Sequence, residues 1–300
     1  MSVAIVIPVR DGAGLLAECL AGVVEQAEPL GAEVVVVDDA STDATAEVAR
    51  SAGATVISLT TPAGPYVARN TGWRAVDAEL LVFTDMRCRP DAGWLAAMVE
   101  PFADPEVAIV GGDVVTVTGP TTAMKWAAGQ QAMRLAVHFE DPYYLPAATT
   151  AAMAVRRSAL EAVDGFAPIR SGGDIDLCWR IQEQGIGRLA PAYGATMQMT
   201  PRDAWRDVVR QWHRFAFGHL ELALRHPQRG APEPPASPKA QVGAIGRGAA
   251  AVVFRPRGSR RVRVLEVARL AAYHRSYYRA WHEWRRTGTD VAQPPSTAST

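Results

Sequence analysis

The chain has 300 residues, of which 48% are hydrophobic and 21% charged, enough apolar surface for a full core and too little polar bias for wholesale disorder. Its 31 basic and 31 acidic residues cancel, so the molecule as a whole is no polyanion binder. Cys19, Cys88 and Cys178 lie far apart with no Cys-x-x-Cys pair, which excludes a disulfide framework and a cysteine-based zinc site.

The first third alternates between two periods. Val3–Ile7 is a short continuous apolar run, as expected of a strand covered on both faces. Leu16, Leu20, Val23 and Val24 then share one helical face. Glu33–Val37 predicts a second buried strand that ends abruptly at Asp38-Asp39. Ser41-Thr42-Asp43 supplies capping chemistry for a helix through Arg50, and Gly53 stops it. A third strand (54–59), a third helix (66–76) and a fourth strand (80–84) ending at Asp85 complete a β-α-β-α-β-α-β order. That order calls for an α/β fold with a mainly parallel sheet and helices on both faces.

The middle is less regular. Helices are expected at 94–99, 123–137, 159–163 (capped by Ser158) and 174–184, with strands at 107–110, 114–117 and 151–156. A long helix over 204–224 precedes Pro227, Pro232, Pro234, Pro235 and Pro238, a composition that cannot continue it. The expected organisation is a catalytic-type domain at 1–226, a Pro-rich linker at 227–241, a basic aromatic helical extension at 242–286 and a loose tail at 287–300. From Arg255 to Arg286 the chain carries ten Arg and two Glu, a local charge of +8 that leaves −8 on the rest. The 13-residue apolar run Val242–Phe254, interrupted by Arg247, is short of the roughly 20 residues that span a bilayer. With no basic start and no small-residue cleavage site before Val3–Val9, a cytoplasmic location is expected.

In open α/β sheets, ligands bind outside the carboxyl ends of the strands. Three such ends carry polar groups here: Pro8-Val9-Arg10, Asp38-Asp39 and Asp85-Met86-Arg87. One reading is a dinucleotide site, since Gly12-Ala13-Gly14-Leu15-Leu16-Ala17 fits G-x-G-x-x-A and Asp38 lies 21 residues beyond Ala17. That pattern recurs easily in a Gly/Ala-rich chain.

The motifs taken together resemble another family. Val6-Ile7-Pro8-Val9-Arg10-Asp11, Val36-Val37-Asp38-Asp39-Ala40-Ser41-Thr42-Asp43, Ala68-Arg69-Asn70-Thr71-Gly72 and Phe83-Thr84-Asp85 follow in order. Ala154–Leu160, Gly165-Phe166 and Gly172-Gly173-Asp174-Ile175-Asp176-Leu177-Cys178-Trp179-Arg180 follow downstream. Over about residues 1–225 this set is similar to the family 2 glycosyltransferases. The resemblance implies a GT-A fold and transfer of a sugar from a nucleotide-diphosphate donor, a UDP-, GDP- or dTDP-sugar, with inversion. It implies donor contacts from Pro8, Arg10, Asp38, Asp39, Arg69 and Asp85, a general base at Asp174, and an acceptor side that includes Asp176 and Trp179. Trp126, His138, Phe139, Tyr143 and Tyr144 fall in the region that relatives use for acceptors.

Several departures bear on the chemistry. The family's metal motif is Asp-x-Asp, and here it reads Asp85-Met86-Arg87. Gly173 replaces the usual Glu before the base, Ala152 stands where many relatives have Asn, and Met197-Gln198-Met199 stands where a histidine often completes the metal site. Two readings follow. In one, Arg87 holds the diphosphate in place of Mg²⁺ or Mn²⁺, no metal is required, and Asp85 would be the one ligand to any ion that did bind. In the other, the domain has lost catalysis and survives as a nucleotide-binding or partner module. The basic helix within 255–286 reads as a packed solvated helix, a peripheral contact with anionic lipid, or an oligomer contact. It has no recognisable nucleic-acid module, and the acceptor is not identified.

Overall fold

The computed structural model describes residues 1–229 except 141, 143 and 170, together with 246 and 260–287. The linker beyond 229, most of the run 242–254, the tail from 288 and Tyr143 lie outside the described residues. The chain divides into two compact units, the first comprising 1–119, 127–168 and 173–201.

This first unit is built on an eight-stranded sheet. Its centre is β1 (Val3–Val9), where Val3–Ile7 are all buried, as a strand covered on both faces must be. Parallel neighbours flank it: β2 (Glu33–Asp38), which carries β3 (Thr55–Ser58) on its far side, and β4 (Leu80–Phe83). Beyond β4 the sheet changes character. β7 (Met153–Arg156) runs antiparallel to β4, β6 (Val107–Thr116) antiparallel to β7, and β8 (Arg188–Met199) parallel to β6. The short β5 (Cys88–Pro90) closes the edge against β8, so three of the seven strand pairs are antiparallel and the sheet is mixed.

Helices α1 (Ala13–Ala27), α2 (Thr45–Ser51), α3 (Pro65–Arg74) and α4 (Trp94–Val99) belong to the first half. They are followed by α5 (Thr122–Gln130), α6 (Leu135–Phe139), α7 (Arg157–Ala162) and α8 (Gly173–Glu183). One large core cluster joins Leu16, Leu20 and Val23 of α1 to the alternate faces of β1, β4 and β6. All three cysteines are buried and free. Burial and the Asp85 charge push the Cys19 thiol up to about 12, which leaves it a packing residue.

Local differences from expectation have physical causes. The two strands expected at 107–110 and 114–117 are one, because Gly111-Gly112 marks close approach and not a turn. A Cβ at Gly112 would lie 2.8 Å from the Ala195 carbonyl oxygen. The helix expected over 123–137 is two, broken at Gln131, whose φ is 46°. Ser158 does not cap α7; Arg156 occupies that position.

The second unit contains 120–126, 169–172 and the chain from 202 onward. It holds α9 (Trp205–Arg225) and α10 (Arg260–Thr287). Ala216, Phe217 and Leu220 of α9 bury themselves against Tyr277 and Ala280 of α10. The long helix expected as the end of the 1–226 domain therefore groups with the basic helix, because its apolar face packs there.

Candidate active site

The carboxyl ends of β1 and β2 are tied together by side chains. Ser41 Oγ accepts the Asp11 N–H at 2.9 Å, Thr45 Oγ1 accepts the Gly12 N–H at 3.0 Å, and Asp43 Oδ2 accepts the Ala13 N–H at 3.1 Å. Asp11 answers by accepting the Thr42 N–H at 2.7 Å. The Thr45 hydroxyl, which donates to Asp43 Oδ1, and then the Ala13 and Thr45 N–H groups hold the Asp43 carboxyl below the usual carboxylate range. The expected capping chemistry of 41–43 thus serves both helices: Asp43 accepts the first N–H of α1 on Oδ2 and, on Oδ1, the N–H of Thr45, the first residue of α2, at 3.0 Å. The dinucleotide reading fails on the same geometry. The amides that would cradle a pyrophosphate already bond to side chains, one of them a carboxylate that repels phosphate. Gly12 itself lies under Met86, whose Sδ would be 2.1 Å from a Cβ there.

Asp38 and Asp39 at the end of β2 are both buried. Asp38 Oδ1 accepts the Ser41 N–H at 2.9 Å. Asp39 accepts the Ala63 N–H at 2.7 Å on one oxygen and the Gly64 N–H at 3.0 Å on the other, fixing the loop that enters α3. A carboxylate offers about four lone-pair sites, so each Asp39 oxygen retains one for a ligand donor. Pro8 pairs with Val37 inside the sheet, and Arg10 is exposed with Asp11 at 3.7 Å.

Helix α3 brings Arg69 to the end of β4. The guanidinium is 3% exposed and its Nη2 donates to Asp85 Oδ1 at 2.5 Å. Arg69 therefore acts on the strand-end carboxylate instead of opening directly to a diphosphate. Beneath it lies the Tyr66 ring, with the guanidinium carbon 5.4 Å from the centroid. Asp85 remains over a third exposed, and Arg87 is half-buried.

Asp174 sits in the first turn of α8, half-buried. Its Oδ1 accepts the Tyr66 hydroxyl at 3.1 Å and the Ile175 N–H at 3.1 Å. Its Oδ2 accepts the Thr150 N–H at 3.3 Å. Sequence reasoning missed Tyr66 and Thr150, since no spacing links either one to Asp174. Gly173 is explained by the same contact: a Cβ would meet three Tyr66 ring carbons at 2.9, 2.9 and 3.0 Å, so the Glu expected there has no room.

Two expected acceptor-side residues lie elsewhere. Asp176 is fully buried and holds Arg180 Nε at 2.7 Å, while that guanidinium donates to the Val163 and Gly165 carbonyls. Its role is to cross-tie α8 to the 163–165 turn, and no acceptor reaches it. Trp179 is 4% exposed, donates to the Leu145 carbonyl at 2.9 Å and packs edge-on to Tyr144. Trp126 belongs to the second unit, against Trp205 and Arg269.

Divalent cations seek several hard oxygen ligands. Here Asp85 is one carboxylate, it is already paired with Arg69, and Arg87 follows two residues on. Met197 and Met199 lie on β8 opposite Pro90 and Cys88, with no oxygen to offer. Among the described residues no three His, Cys, Asp or Glu side chains converge. The donor set does not fit a divalent metal.

The mixed sheet, with Asp38, Asp39 and Asp85 at strand ends and Asp174 at the head of α8, has the GT-A fold. The chain superposes on the mannosyltransferase PcManGT from Pyrobaculum calidifontis in complex with GDP-Man and Mn²⁺, with TM-score 0.63, 23% identity and coverage of 92% of this chain and 86% of that one. It also superposes on glucosyl-3-phosphoglycerate synthase from Mycobacterium tuberculosis in complex with Mn²⁺, UDP and phosphoglyceric acid, with TM-score 0.57, 19% identity and coverage of 78% and 80%. The chain belongs to glycosyltransferase family 2: the family model "Glycosyl transferase family 2" matches residues 4–164. A pre-mycofactocin glycosyltransferase of Mycobacterium tuberculosis is 32% identical over 240 residues, covering 77% of this chain and 49% of the relative. Glycosyltransferase AglE of Haloferax volcanii is 31% identical over 230 residues, covering 73% of each. The chain thus spans about half the length of the curated relatives it matches first.

Proposed function

We propose that this chain transfers a sugar from a UDP-, GDP- or dTDP-sugar to an acceptor hydroxyl with inversion at the anomeric carbon, and that it does so without a divalent cation. The observation that carries the reading is Asp174, held through both oxygens yet half-exposed at the head of α8. Asp38, Asp39 and Pro8 line the nucleoside end, with Arg10 exposed beside them. Asp174 takes the proton of the acceptor hydroxyl as its oxygen attacks the anomeric carbon from the face opposite the diphosphate. Arg87 bonds the departing diphosphate, whose charge grows as the sugar–oxygen bond breaks. Arg69 offsets the Asp85 charge by pairing with it. In the protein as proposed, the acceptor meets the site in the cytoplasm, and nucleic acid is not a partner. The outer face of α10 contacts an anionic membrane surface, with a second copy of the chain as the other reading.

The test is a melting screen with UDP, GDP, dTDP and their sugars, in EDTA and in Mn²⁺. One nucleotide should stabilise the chain equally in both, and nucleotide release from its sugar should persist in EDTA. Complete loss of release in EDTA, restored by Mn²⁺, overturns metal independence. Stabilisation by nucleotide with no release in either condition favours a degenerate binding module.

A further inference from the structure

Tyr66 touches Asp174 on one side of the site and Arg69 on the other. Its hydroxyl donates to Asp174, its ring lies under the Arg69 guanidinium, and Arg69 in turn grips Asp85. The ring cannot drift. It is 7% exposed, stacks on Phe166 at 5.7 Å and 25°, and presses on the backbone of Gly173. Phe166 is fixed in turn, because the Asn70 amide donates to its carbonyl at 2.7 Å and accepts its N–H at 2.9 Å.

We infer that Tyr66 is a positioning residue for the general base: its hydroxyl orients the Asp174 carboxylate, and its ring sets the distance from Asp174 to the Arg69–Asp85 pair. The inference rests on the reading of Asp174 as the base. Oδ1 accepts two donors, Tyr66 and Ile175, whereas Oδ2 accepts only the longer bond from Thr150 among the described contacts. The less engaged oxygen, Oδ2, is the better proton acceptor. The acceptor O–H therefore breaks toward Oδ2, its electron pair forms the new bond to the anomeric carbon, and the diphosphate leaves with the old one. Tyr66 stays protonated throughout, its hydroxyl pushed well above the ordinary range by burial and then by the neighbouring Asp174 charge. Gly173 is the sequence counterpart of this device, since only a residue without a Cβ admits the ring.

The experiment compares Tyr66→Phe, Gly173→Ala, their double variant and Asp174→Asn in the full chain. Turnover is read as UDP, GDP or dTDP released from UDP-glucose, UDP-N-acetylglucosamine, GDP-mannose or dTDP-glucose. Tyr66→Phe keeps the ring, so the chain should stay folded with its donor KM unchanged while kcat drops about tenfold or more, as for a lost hydrogen bond to a charged group. Gly173→Ala should lower kcat by displacing the ring. The double variant should lose little more than either single one, because both break the same contact. Wild-type kcat in Tyr66→Phe, with Asp174→Asn inactive, overturns the inference and leaves the base assignment standing. Wild-type kcat in Asp174→Asn removes the base assignment and the inference with it. If none of these donors turns over, thermal unfolding of Tyr66→Phe, Asp174→Asn and the double variant of these two decides: a double variant whose melting shift is the sum of the single shifts overturns the contact, and one whose shift departs from that sum supports it.

Discussion

At the scale of the residue, Asp174 and Arg87 carry opposite halves of the proposed chemistry, and their variants should fail differently. Asp174→Asn removes the proton acceptor and leaves the donor-side carboxylates intact, so nucleotide binding by calorimetry should persist while transfer falls about 10²- to 10⁴-fold. Retention of more than roughly half the parent rate would show that another group takes the proton. Arg87→Ala should lower kcat by about 10²- to 10³-fold and donor affinity by much less, because diphosphate charge is greatest in the transition state. Equal losses in both would mean that Arg87 binds the ground state only. These residues were legible from the sequence because they stand at strand ends or at the head of a helix, where motif order locates them. Tyr66, Thr150 and Arg180 were not. Their partners are 108, 24 and 4 residues away, and only the folded chain shows which polar atoms meet. The buried fate of Asp176 had the same origin: two carboxylates two residues apart at a helix start look alike until Arg180 claims one.

Among the elements, β1 to β4, β6 and β7 were readable as strands, and β5 and β8 were not. β1, β2 and β4 are continuous apolar runs, which is the signature of strands buried on both faces. β8 contains Pro191 and Gly194 and alternates irregularly in burial. It shifts register against β6, so that Gly112 faces Ala192 and the next residue, Asp113, faces Thr196, leaving Tyr193–Ala195 looped out. No period-2 pattern survives such a bulge. Element docking also rationalises two motifs. Asn70 of α3 clasps the peptide of Phe166 by both its groups, and a Cβ on Gly165 would strike Asn70 Oδ1 at 2.4 Å. Ala-Arg-Asn and Gly-Phe are thus the two sides of one joint between α3 and the turn after α7. Asn70→Ala leaves the Phe166 N–H and carbonyl without these partners and should destabilise the chain by about 1–3 kcal/mol in urea unfolding. A change below about 0.5 kcal/mol, the usual range for a surface site, would show that the joint is held by packing alone.

Over the whole molecule, α10 has two faces with different consequences. Its inner face, with Tyr277 and Ala280, covers Ala216, Phe217 and Leu220 of α9. A chain ending at residue 226 keeps α9 and loses that cover, so it should bind a hydrophobic dye and aggregate; a monomeric, dye-silent product would show that α9 does not need α10. The outer face is cationic: Arg275, Arg279, His282 and Arg286 follow at helical spacing and are exposed, with Arg285 exposed beside them. No helix among the described residues is long and apolar enough to cross a membrane. A surface contact is a different matter, because each Arg near an anionic bilayer contributes about 1 kcal/mol and the attraction fades within a Debye length of about 8 Å at physiological salt. The intact chain should therefore co-sediment with vesicles containing phosphatidylglycerol, and neutral phosphatidylcholine vesicles should leave it in solution. Binding should weaken steeply between 50 and 500 mM salt (about a threefold shorter Debye length). Arg275→Glu with Arg279→Glu should abolish it without altering the melting temperature, since neither side chain is buried. No sedimentation at low salt would remove the membrane contact, and a charge-sensitive dimer in size-exclusion chromatography would assign the same face to a second copy of the chain.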